Sequence, residues 1–290
     1  MSPATADAGD EPPRYSPKTT FDRITVHVTC NIETPAVWRI GLAPSEDGGQ
    51  TLIEGPGLAR LWALLEEADA SSRCRVLVLE GADGAFCQGM DLAYMSARSP
   101  EDRMPAALQF ARCLGRLRGG RQLVVAAVDG AAIGGGVGLA GAADVLLCTE
   151  GSTFGLPELS LGLVPAIVLP VLTERMTAQR ARWLALSGTI GARRALEMGL
   201  VDQVVGDAAR LEKATRKTIK QALRCRPQSV AGLKWHLEQV GQLPLHDALE
   251  AGAQLTAESL NDAEGMAALV AFMEGEPLPW FERYKPGKRA

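Results

Sequence analysis

Apolar positions along the chain change period partway through, and the change divides the sequence in two. Residues 24–30, with Ile24, Val26 and Val28 set against Thr25, His27 and Thr29, alternate as a first strand does. A second strand is predicted at 38–42, followed by a loop over 43–49 where Pro44 and the Gly48, Gly49 pair break the pattern. Within 57–70 the apolar residues Leu58, Leu61, Trp62, Leu64 and Leu65 recur at helical spacing. Residues 74–80 then read as a strand, 104–117 as a helix, 123–128 as an apolar strand, 134–142 as a helix of small residues and 145–148 as a strand. Strands that alternate with helices imply βαβ units and mostly parallel sheets, so the fold class is α/β.

From about Thr177 the strand pattern gives way. Residues 178–187, 192–198, 208–223, 230–240, 246–260 and 263–272 all carry helical spacing, with no repeat at a fixed period. Three regions follow: a tail over 1–18, an α/β core over 19–206 and a helical region over 207–290. The tail has four prolines and almost no large apolar side chain, which predicts disorder. It lacks the apolar run of a signal peptide, and no stretch of membrane-spanning length follows; the expectation is a cytoplasmic protein that does not enter a membrane.

Composition narrows the chemistry mainly by exclusion. A hydrophobic share of 47% and a charged share of 22% suit a chain that buries a full core. The net charge of -4, with no basic stripe, argues against a nucleic-acid partner. Six cysteines show no C-x-x-C pair, and His27, His236 and His246 are scattered. Neither a zinc site nor a disulfide framework is signalled, and no metal is expected.

Three segments carry candidate chemistry. Residues 84–92 and 128–139 are rich in glycine, and each follows an apolar strand. Glycine lets a ligand approach the main chain closely. A helix that starts within the Gly134, Gly135, Gly136 run would aim unpartnered N–H groups at an anionic oxygen. The run is neither a P-loop, since no Gly-Lys-Ser/Thr follows, nor a dinucleotide fingerprint. About twenty residues downstream, Glu158 stands in an otherwise apolar stretch. Burial would raise its carboxyl pKa and suit it to acid/base work, whereas a helix-start glutamate would simply be solvated.

Together these segments resemble the crotonase (enoyl-CoA hydratase/isomerase) superfamily, over roughly residues 76–205. The similarity includes the run from Ser187 to Val201 and, more weakly, Glu264 to Ala267. The resemblance implies a crotonase-like spiral of ββα turns followed by a helical C-terminal trimerisation region, giving a homotrimer or a dimer of trimers. It places a thioester carbonyl between the backbone N–H groups of Met90 and Gly135, with Glu158 as the catalytic acid or base. Gln88, Asp91, Gly134 and Gly138 fall at substrate-binding positions. No cofactor is implied beyond the phosphopantetheine of coenzyme A or an acyl carrier protein that carries the substrate.

The departures are informative. Family hydratases with two catalytic glutamates carry the first of them where Gly138 stands, and the Asn-Ala signature after the first strand is unrecognisable in 35–55. Two-carboxylate hydration is therefore not expected. Phe86 to Asp91, Phe154 to Leu159, Gly138 and Leu163 to Ala166 look like the dehydratase branch of bacterial polyketide β-branching. That branch converts a 3-hydroxy-3-methylglutaryl group on an acyl carrier protein to 3-methylglutaconyl. One carboxylate can then remove the α-proton and protonate the departing hydroxyl if elimination is syn. Asp91 is either a second acid or a helix cap, and the missing side chain at Gly138 would leave room for a branched or carboxylated acyl group. A cation for the distal carboxylate is expected, and nothing in the sequence picks one among Arg98, Arg112, Lys234 and others; Lys234, Trp235 and His236 are either acyl contacts or packing. The remaining alternatives are a Δ3,Δ2-enoyl-CoA isomerase, a decarboxylase and a non-catalytic binding member.

Overall fold

The structure, a computed structural model, describes residues 27–43, 55–82, 84–91 and 95–286. The expected tail over 1–18, the strand residues 24–26, most of the 43–49 loop, residues 92–94 and the last four residues lie outside the described residues.

After an opening pair of long strands, each long strand runs into a short one and then a helix. Strands β1 (His27–Thr34) and β2 (Val37–Ala43) form an antiparallel pair, and helix α1 (Gly55–Ala70) follows. The first full turn is β3 (Val76–Gly81), β4 (Ala85–Cys87) and α2 (Pro100–Gly119). The second is β5 (Leu123–Val128), β6 (Ala131–Ile133) and α3 (Gly135–Gly141). The third is β7 (Val145–Thr149), β8 (Thr153–Gly155), a 3-10 turn at Pro157–Leu161 and α4 (Leu169–Thr173). Helix α5 (Ala178–Ser187), β9 (Thr189–Gly191), α6 (Ala192–Met198) and β10 (Gln203–Val205) close the α/β part. The six-stranded sheet has the order β1-β2-β3-β5-β7-β10 and the four-stranded sheet the order β4-β6-β8-β9. This is the ββα spiral expected of the fold class.

Within the large sheet β2, β3, β5, β7 and β10 pair in parallel, so their side chains are covered on both faces. Leu77, Leu79, Val124 and Ala126 enter the main core with Phe86 and Phe154 of the small sheet. Val76, Val78, Val125 and Leu147 face the other way and pack with Leu211 and Ile219 of helix α7 (Ala208–Ala222). The period of two explains why neighbouring residues serve separate cores. Asp207 caps α7 by accepting the Arg210 amide at 2.7 Å.

Helices α8 (Pro227–Val240), α9 (Leu245–Asn261) and α10 (Ala263–Met273) follow. The first two bury no residue completely. Leu245, Leu249 and Met273 are 76%, 66% and 70% exposed. The helix expected at 104–117 begins earlier, because Ser99 accepts the Asp102 amide and Pro100 opens the first turn.

Candidate active site

Strands β4, β6 and β8 lie side by side and parallel. Ala131 pairs with both Ala85 and Thr153, which sets the three strands level. Their carboxyl ends therefore release three loops at one edge of the small sheet: Gln88 to Met90, Gly134 with Gly135, and Pro157 with Glu158. The Gly134 amide donates to the Gly155 carbonyl at 2.8 Å and ties the second loop to the third.

Glycine is required where the first two loops meet. Gly89 has φ +96° and Gly134 φ +54°, a region other L-residues rarely occupy. A Cβ on Gly89 would stand 2.9 Å from the Ile133 carbonyl oxygen and 3.2 Å from the Gly135 nitrogen. One on Gly136 would fall 2.0 Å from the Cys87 carbonyl oxygen. The chain segment leading to Met90 thus packs main chain to main chain against the start of α3. Gly135 opens that helix, where the first amides have no acceptor within the helix.

Glu158 sits in the 3-10 turn, whose geometry is fixed by its own carbonyl. That oxygen accepts the Leu163 amide at 2.8 Å, and Gly162 ends the turn at φ +73°. The side chain reaches back toward the second loop, with Oε1 3.1 Å from where a Cβ on Gly134 would be. Oε2 is buried and has no hydrogen-bond partner among the described residues. Desolvation raises the Glu158 pKa above the ordinary glutamate value, opposed in part by a hydrogen bond from its own backbone amide.

These groups line one cavity of about 240 Å³. Gln88, Gly89, Met90, Gly134, Gly135 and Glu158 line it together with the apolar Phe110, Ile133, Leu161 and the run from Leu163 to Val168. The arrangement brings the main chain at Met90 and Gly135 to the same cavity as Glu158, the one carboxylate that lines it among the described residues. It thus unites five of the seven residues read from the sequence together with Gln88's neighbour Gly89. Asp91 and Gly138 are not on this wall. The Asp91 carbonyl accepts the Met95 amide at 3.0 Å, so its main chain starts a turn. A Cβ on Gly138 would meet Val168 at 3.0 Å and Leu114 at 3.2 Å. The room expected there is filled by those two side chains, so Gly138 opens no extra space for an acyl group.

The candidate cations separate clearly. Lys234 donates to the carbonyls of Leu117 at 3.2 Å and Gln122 at 2.8 Å and pairs with Asp144 at 2.8 Å, a buried packing role away from the cavity. Arg112 is exposed. Arg98 lines a second cavity beside the first. Sequence reasoning missed Phe110, which touches both cavities. Its only signal was a place on the apolar stripe of α2 with Cys113, Leu114 and Leu117.

Comparison with known proteins agrees with this geometry. The family model described as Enoyl-CoA hydratase/isomerase matches residues 58–283. Mevalonyl-coenzyme A hydratase SIDH of Beauveria bassiana is 32% identical over 232 residues, 74% of this chain and 81% of that protein. Bacillaene synthase dehydratase PksH of Bacillus subtilis is 27% identical over 215 residues, 72% and 81% of the two chains. Among solved structures, Pseudomonas aeruginosa AtuE matches with a TM-score of 0.79 at 32% identity, over 90% of this chain and 100% of that one.

Proposed function

The chain belongs to the enoyl-CoA hydratase/isomerase family and is an enzyme of that family; from this premise we propose that it dehydrates a β-hydroxy acyl thioester. The substrate class we favour is 3-hydroxy-3-methylglutaryl on an acyl carrier protein, converted to 3-methylglutaconyl as in polyketide β-branching. The observation that carries the reading is Glu158. It is the carboxylate that faces the cavity shared by Met90 and Gly135, its Oε2 is buried without a partner, and a glycine stands at 138 in place of a second acid.

A thioester α-proton leaves only if the enolate oxygen is stabilised. The amides of Met90 and Gly135 supply that stabilisation without reorganising, and one such donor is commonly worth about 10²–10³ in rate. Glu158 takes the α-proton, and the enolate's electron pair then forms the new C=C bond as the β-carbon–oxygen bond breaks. The same carboxyl returns its proton to the departing hydroxide, so one water leaves and Glu158 is again ionised. Syn geometry follows from using one group on one face. The steps as drawn draw on no cofactor, only on a thioester whose pantetheine arm belongs to coenzyme A or the carrier protein.

The resemblance to a bacillaene synthase dehydratase supports the carrier-protein form. The greater identity to a mevalonyl-coenzyme A hydratase favours a second reading, in which a similarly branched 3-hydroxy acyl group is carried on coenzyme A. Both are compatible with a cytoplasmic homotrimer or dimer of trimers in which the exposed apolar residues of α8 to α10 meet neighbouring subunits. Incubation with 3-hydroxy-3-methylglutaryl on each carrier, read by mass spectrometry, tests the proposal. Loss of one water is expected; additional loss of carbon dioxide identifies a decarboxylase. An unchanged mass on both carriers overturns the reading and leaves an isomerase or a non-catalytic member.

A further inference from the structure

The loops that carry Gly135 and Glu158 leave the carboxyl ends of β6 and β8, and side chains join the opposite ends of the same two strands. Both strands begin at corners where a long strand turns into a short one: Asp129 and Gly130 after β5, and residues 150–152 after β7. The Thr149 hydroxyl donates to the Asp129 carboxylate at 2.8 Å and lies 2.9 Å from the Ser152 oxygen. With its hydrogen given to Asp129, Thr149 can only accept from Ser152, which also donates to the Val128 carbonyl at 3.0 Å. Thr149 is 3% exposed and Ser152 1%, a setting in which a hydrogen bond is stronger than in water.

The main chain closes the same junction. The Thr153 amide donates to the Gly130 carbonyl at 3.1 Å, and a Cβ on Gly130 would fall 1.6 Å from the Gly84 carbonyl oxygen. The corner before β6 is thus held between the turn before β4 and the corner before β8.

Such a junction matters because the ladder beyond it is short. Ala131 pairs with Thr153, Ala132 with Phe154 and Ile133 with Gly155, and the pairing then ends. Register is set by hydrophobic pattern, and runs this short specify it weakly. Gly135 stands six positions after Asp129 and Glu158 six after Ser152, so a slip at the corner is carried along the strands to the cavity. One residue of slip moves a strand by about 3.3 Å, beyond what hydrogen-bond geometry tolerates.

We infer that Asp129, Thr149 and Ser152 are positioning residues, a buried clasp that fixes Gly135 and Glu158 relative to each other from the far ends of the strands that bear them. The assignment rests on the proposed roles of Gly135 and Glu158. It adds three side chains that do not line the cavity themselves.

The test compares Thr149→Val, which removes the hydroxyl but keeps the shape, with Thr149→Ser, which keeps the hydroxyl. Ser152→Ala is the third variant, and each full chain is assayed on the 3-hydroxy-3-methylglutaryl thioester well below its melting temperature. Thr149→Val should lower kcat by about 10- to 100-fold with KM within about threefold, the scale of a misplacement of about 1 Å. Thr149→Ser should stay within about threefold of wild type, and Ser152→Ala should lose about tenfold. In a Glu158→Gln background, Thr149→Val should cost less than about twofold, since no carboxylate is left to misplace. Hydrogen exchange should speed up by about tenfold or more at the Gly134 amide, while the amides of β5 exchange as in wild type. Unchanged kcat despite a lower melting temperature overturns the assignment, as does an undiminished loss in the Glu158→Gln background or a uniform rise in exchange. Should Thr149→Val fail to fold, Ser152→Ala in both backgrounds decides. If wild type releases no water from either thioester, the dehydratase reading falls, and exchange that rises only around Gly134 leaves the clasp standing.

Discussion

In the six-stranded sheet, β1, β2, β3, β5 and β7 run for five to eight residues, whereas all four strands of the smaller sheet are three residues long. The large sheet buries branched side chains on both faces and shares two separate cores. The small one contributes chiefly its central residues: Phe86, Ala132 and Phe154 are 0% exposed and Ile190 6%. A strand of that length buries too little to stand alone and is held in place by the larger core it packs into. In return its carboxyl edge carries the loops that hold Met90, Gly135 and Glu158. One sheet supplies rigidity and the other carries the proposed catalytic groups, so substitutions in the two should fail in different ways.

The largest effect is expected at Glu158. Glu158→Gln removes the proton carrier while keeping size and polarity, and general acid–base work of this kind is commonly worth about 10²–10⁴ in rate. We expect kcat to fall by about 10³. Stability should move the other way. Because desolvation raises the folded pKa, the native state keeps its proton to higher pH than the unfolded chain. Stability is then lost as pH rises from the ordinary glutamate value through the folded one, and glutamine escapes that loss. The variant should melt at or above wild type at neutral pH. Wild-type kcat/KM should fall on acidification through an apparent pKa above that of an ordinary glutamate. Turnover retained within a few-fold, or a lower melting temperature, would show that Glu158 belongs to the scaffold.

A smaller loss is expected at Gly89, where the two loops touch. Gly89→Ala forces a Cβ to within 2.9 Å of the Ile133 oxygen and 3.2 Å of the Gly135 nitrogen at φ +96°. The main chain must shift at the point where the two proposed oxyanion donors, Met90 and Gly135, are set. A kcat lower by about 10² is expected, the cost of misplacing one donor. Backbone strain should add about 1–3 kcal/mol of destabilisation. Stopped-assay kinetics at a temperature well below the melting point separates the two, and an unchanged kcat there would remove these amides from the mechanism.

The same contrast explains what the sequence disclosed. Val124 to Val128 and the α5 and α6 helices could be read from periodicity because burial on one or both faces dictates their residue types. Strands β4, β6, β8 and β9 could not, since three residues make no period and Ala131, Ala132 and Ile133 would serve a turn equally well. Their glycines were legible as close-approach points, yet only the register of β4, β6 and β8 shows that three loops meet. Glu158 was ambiguous on its segment alone, as a solvated helix-start residue has the same sequence. Gly138 looked like an opened space because its neighbour Val168, thirty positions away, was invisible. The long helix α2 revealed its apolar stripe, but not that Phe110 on that stripe divides two cavities.

The smallest effect on activity is expected from the far side of the large sheet. Ile219 on α7 is 0% exposed and packs in the core that includes Val78, Val125 and Leu147, which is separate from the core that contains Phe86 and Phe154. Ile219→Ala removes three carbons from a site that can only partly collapse, which commonly costs about 2–5 kcal/mol. That loss should appear as a lower denaturant midpoint with an unchanged slope. The folded fraction should keep its kcat and KM within about twofold, because the strands between Ile219 and the catalytic loops stay paired on both sides. Titrating activity against denaturant alongside circular dichroism checks this directly: the two curves should coincide, both shifted by the same amount. If activity disappears well before the fold does, the two sheets are coupled more tightly than their separate cores imply. The placement of Glu158 would then depend on the whole body and not on the small sheet alone.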